Sequence, residues 1–193
     1  MNWYKTTQLK ETLSYFQEFE KEEYIPEEES VNAVLENQFG ASIISEVGRG
    51  DSGIAYLLSN GDVLKITTNS QEGAIARYVS ENPIPCIVDY KLVWQEGDLY
   101  YIVMEKIDQM GVDNSFIKQE FKTLEAIVDK NNIYDPAFLY QVIKNNYDMN
   151  FDFKRMILPY LFYLQQLPFK IFDFININNV GLKDGKLIFF DVT

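Results

Sequence analysis

The chain has 193 residues, of which 47% are hydrophobic and 15% aromatic, enough for the core of one ordinary domain or a small two-lobed one. Seventeen Lys+Arg against 29 Asp+Glu give a net charge of −12, which argues against a non-specific grip on nucleic-acid phosphates or anionic membranes and suits a basic partner or a metal-bound nucleotide. There is no histidine, so Ser-His-Asp and Cys-His nucleophiles, histidine metal sites and imidazole acid–base chemistry are excluded together. Any catalysis must rest on carboxylates, lysine, amides or a bound metal. One cysteine, Cys86, permits no internal disulfide. No signal-like apolar run follows Met1, and no stretch approaches the roughly 18 apolar residues of a membrane span. The expected compartment is a reducing cytoplasm.

Leu9, Leu13, Phe16 and Phe19 recur at helical spacing over residues 7–24, and an acidic run over residues 18–29, broken by Pro26, leads to Ser30. The pattern predicts a helix, a charged turn and a short helix over residues 31–37. The acidic run reads either as a solvated face and linker or as a docking patch for a basic protein. Five β-like runs follow, over residues 41–47, 54–58, 62–67, 87–94 and 99–104, expected as an antiparallel meander with one helix over residues 71–80 after the third strand. Beyond Asp108 the pattern turns helical: residues 114–130, then 136–145 behind an Asp135 cap, then 152–167, kinked at Pro159 and ended by Pro168. Two short strands, 179–182 and 186–191, close the chain around the turn Lys183-Asp184-Gly185.

Gly48-Arg49-Gly50-Asp51-Ser52-Gly53 fits G-x-G-x-x-G. In a dinucleotide fold this motif opens a helix, whereas here Ile54 onward reads as a strand, so the motif is a hairpin tip. Glycines at such a tip let backbone N–H groups approach a triphosphate, although a plain glycine hairpin has the same sequence. Lys65 lies among the apolar residues Val63, Leu64 and Ile66 on the next strand, where it either faces solvent or pairs with Glu72, seven residues on.

This order of strand, glycine loop, strand, lysine strand, helix and two strands resembles the nucleotide-binding lobe of the protein-kinase-like superfamily. Asp173-Phe174-Ile175-Asn176-Ile177-Asn178 is similar to the D-x-x-x-x-N of that family's catalytic loop, and Asp191 stands after a hairpin where its metal-binding Asp stands. Val103-Met104-Glu105-Lys106-Ile107 resembles its hinge. Singly, Asp173, Asn178 and Asp191 also fit ordinary turn chemistry.

The resemblance implies an α+β, protein-kinase-like two-lobed fold. Its parts are an N-terminal helical extension (residues 1–40), an N-lobe with hinge (41–108) and a reduced helical C-lobe (109–193). It implies ATP and Mg²⁺ as cofactors, with Gly48, Gly50 and Gly53 over the phosphates, and with Lys65 neutralising phosphate charge while Glu72 orients it. Asn178 and Asp191 would be metal ligands, and Asp173 would accept the proton of an attacking hydroxyl. Adenine would lie between Val47, Ala55 and Val63 on one side and Val180 on the other, bonded to the backbone of Glu105 and Ile107, with Met104 as gatekeeper.

The family pattern is incomplete here. Ile171-Phe172 replaces the usual His-Arg or His-Gly before Asp173, Ile175 stands where many protein kinases carry a lysine, and only Val192-Thr193 follows Asp191. The peptide-docking surface of that family is therefore not expected in its usual form. The expected activity is phosphotransfer from Mg-ATP to a hydroxyl acceptor, small-molecule or protein. The alternative is a nucleotide-binding pseudokinase acting as a regulatory or interaction module. A third reading is an acidic protein that occupies the basic surface of a nucleic-acid enzyme.

Overall fold

A computed structural model describes residues 28–50, 53–109, 115–145, 149–171 and 173–191. The helix expected over residues 7–24 and most of the acidic run lie outside them. The chain divides into two compact units at Ala41/Ser42. In the first, helix α1 (Glu28–Phe39) is longer than the expected 31–37. Gly40, at φ +60°, stops it. The N–H of Gly40 bonds the Glu36 carbonyl and that of Ala41 the Leu35 carbonyl, the double closure for which a left-handed glycine is best suited.

The second unit is α+β, built on a five-stranded antiparallel sheet. In chain order it comprises β1 (Ile43–Gly50), β2 (Gly53–Leu58), β3 (Val63–Thr67), α2 (Ser70–Glu81), β4 (Tyr90–Glu96), β5 (Leu99–Met104) and β6 (Asp108–Gln109). There follow α3 (Ser115–Asn131), α4 (Pro136–Asn145), α5 (Phe151–Leu164), a 3-10 turn (Ile177–Asn179), β7 (Val180–Lys183) and β8 (Lys186–Phe189). The large sheet runs β1-β2-β3-β5-β4 and is not the expected sequential meander. After β3 the chain crosses through α2 to the far edge, and the β4–β5 hairpin brings β5 back against β3. Composition explains the choice. β5, LYYIVM, buries its last four residues and takes the interior, while β4 puts Lys91, Gln95 and Glu96 on the exposed edge.

The fourth expected strand also starts late. Residues 86–88 pair instead with the C-terminal hairpin: the Phe189 N–H bonds the Cys86 carbonyl, and the Val88 N–H bonds the Phe189 carbonyl. In the turn of that hairpin Asp184 and Gly185 both have positive φ, 51° and 73°, as a two-residue turn matching the strand twist requires. β6, which nothing in the sequence announced, pairs with β7 to complete a small three-stranded sheet.

In α3 the buried residues Ile117, Phe121, Leu124 and Val128 form one stripe at helical spacing. In α5 the Asn150 side chain caps the first turn, accepting from Asp152 and Phe153. That helix ends three residues before the expected 167, because the Gln166 and Leu167 N–H groups bond three residues back and tighten the chain ahead of Pro168. A single core joins the two halves of this unit: Ile75, Ile102 and Met104 belong to the same buried cluster as Phe121, Phe153, Ile157, Phe174 and Phe189. No helix among the described residues is long and apolar enough to cross a membrane.

Candidate functional site

The pleat of the central strand decides what faces the site. On β3, Val63, Lys65 and Thr67 share one face, and register places Ala55 and Ile102 on either side of Lys65 and Met104 beside Val63. This face opens on a cleft of about 810 Å³. Every sequence-selected residue lines it except Glu72 and Val180: Val47, Gly48, Gly50, Gly53, Ala55, Val63, Lys65, Met104, Glu105, Ile107, Asp173, Asn178 and Asp191 are all present. The structure thus gathers residues from six separate stretches of chain around one cavity.

At its back, Lys65 Nζ lies 2.5 Å from Glu72 Oε1 and 2.7 Å from Asp191 Oδ1. Glu72 is almost wholly buried, with 2% of its side chain exposed, and Lys65 retains 14%. Burial works against the Lys65 ammonium, but the charges of Glu72 and Asp191 outweigh it and hold its pKa above the usual lysine value. Burial raises the pKa of Glu72, opposed chiefly by Lys65. Tyr90, fully buried and near both carboxylates, is kept a neutral phenol by burial first and by their charge second.

Glu72 reaches Lys65 for local reasons. Asn69-Ser70-Gln71-Glu72 has the spacing of a capping box, and the Asn69 side chain does accept from the N–H groups of Gln71 and Glu72. The reciprocal half is replaced, since the Asn69 N–H bonds Thr67 Oγ1 and the Glu72 carboxylate turns to Lys65. The next residue must be small: a Cβ at Gly73 would collide with the ring of Tyr100 on β5, so this glycine lets α2 lie close against the sheet.

The glycine segment is drawn into the strands. Gly48 pairs with Ala55 and Gly50 with Gly53; Asp51 and Ser52 lie outside the described residues. A Cβ at Gly48 or Gly50 would meet nothing within 4 Å, whereas one at Gly53 would run into the Ile66 carbonyl and Thr67. The first two glycines therefore leave open space over the cleft, and the third is required by packing. At the expected hinge, the Glu105 N–H is engaged by the Asp89 carbonyl at 3.0 Å, which leaves the carbonyl of Glu105 as its backbone group for a ligand. The Glu105 side chain is held by Lys183 at 2.6 Å.

Asp173 and Asn178 are both exposed and line the opposite wall. Asn176 shapes this loop: its side chain accepts from the Asn178 N–H, and its own N–H bonds the Asp173 carbonyl. Asn179 follows, buried, with its carbonyl bonded to the Phe190 N–H, the residue before Asp191. Val180, expected beneath a base, is instead wholly buried behind the wall opposite Phe189, and Phe190 takes the cleft position. The alternation of β7 and β8 turns the pair Val180 and Phe189 inward together. Ile175 is buried, so its position presents no functional group to the cleft.

Neither a protein-family model nor a curated protein sequence matches this chain.

Asp191 supplies a carboxylate and Asn178 an amide oxygen on the same cleft, and no group of three or more acidic, histidine or cysteine side chains converges among the described residues. Two protein oxygens fit Mg²⁺, which keeps most of its shell for water and phosphate, better than they fit a cation that needs an all-protein cage. Several lining residues carried no clear sequence signal: Arg49, Lys106, Asp108 and Phe190. Asn69 did carry one, in its capping-box spacing. Tyr134 donates to Asp129 Oδ1 at 2.9 Å, and its pKa is raised first by that bond and Asp129's charge, with smaller contributions from Asp173 and Glu125.

Proposed function

We propose that this protein binds Mg-ATP in the cleft and transfers its terminal phosphoryl group to a hydroxyl acceptor, as a member of the protein-kinase-like superfamily with a two-lobed arrangement. One observation carries the reading: Lys65, on an interior strand, is clamped between Glu72 and an aspartate 126 residues away, Asp191, at the back of a cleft that also presents two open glycines and Asp173. Glu72 and Asp191 fix the direction of the Lys65 ammonium, and with Asp191 turned to Mg²⁺ the lysine and the metal together would present positive charge to a polyphosphate.

In this reading Val47, Ala55, Val63 and Met104 offer apolar surface to the base, and Glu105 and Ile107 offer backbone groups. Gly48 and Gly50 let the strand approach the phosphates. Asn178 and Asp191 hold Mg²⁺, which when bound neutralises developing charge on the phosphoryl oxygens. Asp173, exposed to the cleft, takes the proton of the acceptor hydroxyl. A small hydroxylated molecule is the acceptor class we favour.

Burial of Ile175 favours a second reading, a nucleotide-binding pseudokinase with a regulatory or interaction role, because that position contributes no charge to a transferring phosphate. Single-turnover transfer from ATP labelled in its γ-phosphate, over a panel of hydroxylated acceptors, separates the two. The phosphotransferase reading expects transfer that is lost in Asp191→Ala and Asp173→Asn. Transfer that persists unchanged in Asp191→Ala contradicts it, and nucleotide binding without transfer leaves the pseudokinase.

A further inference from the structure

The loop bearing Asp173 has no histidine to anchor it, yet one side chain from the helical half reaches it. Tyr160, on α5, donates its hydroxyl to the carbonyl of Phe174 at 2.6 Å. It is 1% exposed, and burial keeps it a neutral donor, its pKa pushed well above the ordinary phenol value. Its ring meets Phe189 edge-on, with centroids 6.4 Å apart. The two contacts fall beside Asp173 and Asp191: Phe174 follows Asp173, and Phe189 lies two residues before Asp191.

We propose that Tyr160 is a positioning residue, holding the Asp173 loop and strand β8, which leads to Asp191, in register through one hydrogen bond and one ring contact. The inference rests on the phosphotransferase reading for its kinetic consequence, but its structural half stands apart from it. A buried backbone carbonyl needs a donor, and the loop's own bonds, Asn176 N–H to Asp173 and Asn179 N–H to Asn176, leave the Phe174 carbonyl to Tyr160. The rest of Tyr160 is apolar and packs in the core cluster, so Tyr160→Phe keeps the ring contact and removes only the donor. Substitution by Leu removes both.

The test compares wild type with Tyr160→Phe by residue-resolved amide hydrogen exchange and by steady-state release of phosphate from Mg-ATP, with water as acceptor. Exchange at Asn176, Asn178 and Asn179 is expected to accelerate about 10-fold or more in Tyr160→Phe, while β3 and β5 keep their protection. The kcat is expected to fall by about 10- to 100-fold with a smaller change in KM for Mg-ATP, because Lys65, Asp191 and the glycines are untouched while the loop bearing Asp173 and Asn178 is loosened. Exchange that is unaltered in the loop, or raised equally throughout the sheet, overturns the proposal. So does a matched rise in KM with kcat preserved. If wild type releases no phosphate, water is not an acceptor, the acceptor panel decides the phosphotransferase reading, and the exchange pattern alone decides whether Tyr160 anchors the loop.

Discussion

Two lysine–glutamate pairs flank the cleft, and they differ in one respect. Lys65–Glu72 at the back and Lys183–Glu105 at the rim have nearly the same length, 2.5 and 2.6 Å. The first leaves 14% and 2% of its side chains exposed, the second 47% and 30%. Distance says they are equivalent, and burial says they are not. At the rim, water solvates either partner when the other is removed, so the pair mainly fixes the orientation of Glu105. At the back, neither charge has water to fall back on, and each depends on the other and on Asp191.

The sharpest way to break this contrast is Lys65→Ala, which strands the buried Glu72 carboxylate and is expected to cost about 3–5 kcal/mol in urea denaturation. Replacing both members, Lys65→Met with Glu72→Leu, should recover most of that loss, since an apolar pair carries no desolvation cost. A double variant as unstable as Lys65→Ala would show that the loss came from packing alone.

The same pair has a pH signature. With its folded pKa raised above 10.5, Lys65 contributes stability that is fully present below the unfolded lysine pKa and is lost as pH rises through the folded one. Denaturation midpoints should therefore fall more steeply above about pH 10.5 in wild type than in the double variant. Parallel alkaline limbs would contradict the assignment.

A smaller effect separates the glycines. Gly53→Ala drives a Cβ into the Ile66 carbonyl and is expected to cost about 1–3 kcal/mol, whereas Gly50→Ala meets open space and should stay within about 0.5 kcal/mol of wild type. Gly50→Ala should nevertheless weaken nucleotide binding if the backbone approaches phosphate there. Smallest of all, Lys183→Ala should leave the denaturation midpoint unchanged, its partner Glu105 simply becoming solvated.

The back wall was more legible in the sequence than the loop opposite. Lys65 stood out because a charge amid Val63, Leu64 and Ile66 on a strand needs a reason, and Glu72 lay at a distance that one strand-to-helix turn can close. The strand order was not legible, because hairpin signals between neighbours say nothing of a strand that returns past its predecessor; only the greater apolarity of β5 hinted that it would sit inside. Val180 was misplaced because a one-residue difference in a short strand decides between core and cleft. Tyr160 was hidden for another reason: on the apolar stripe of α5 a tyrosine reads as core, and so it is, apart from the one oxygen that meets Phe174.

The central claim is that the cleft takes a metal-bound nucleotide, and thermal unfolding with and without Mg-ATP tests it most directly. At about 100 times Kd, binding is expected to raise the Tm of wild type by about 5–10 °C. The rise should depend on Mg²⁺ and be abolished in Asp191→Ala. No rise at millimolar Mg-ATP, or an equal rise in Asp191→Ala, would contradict the account.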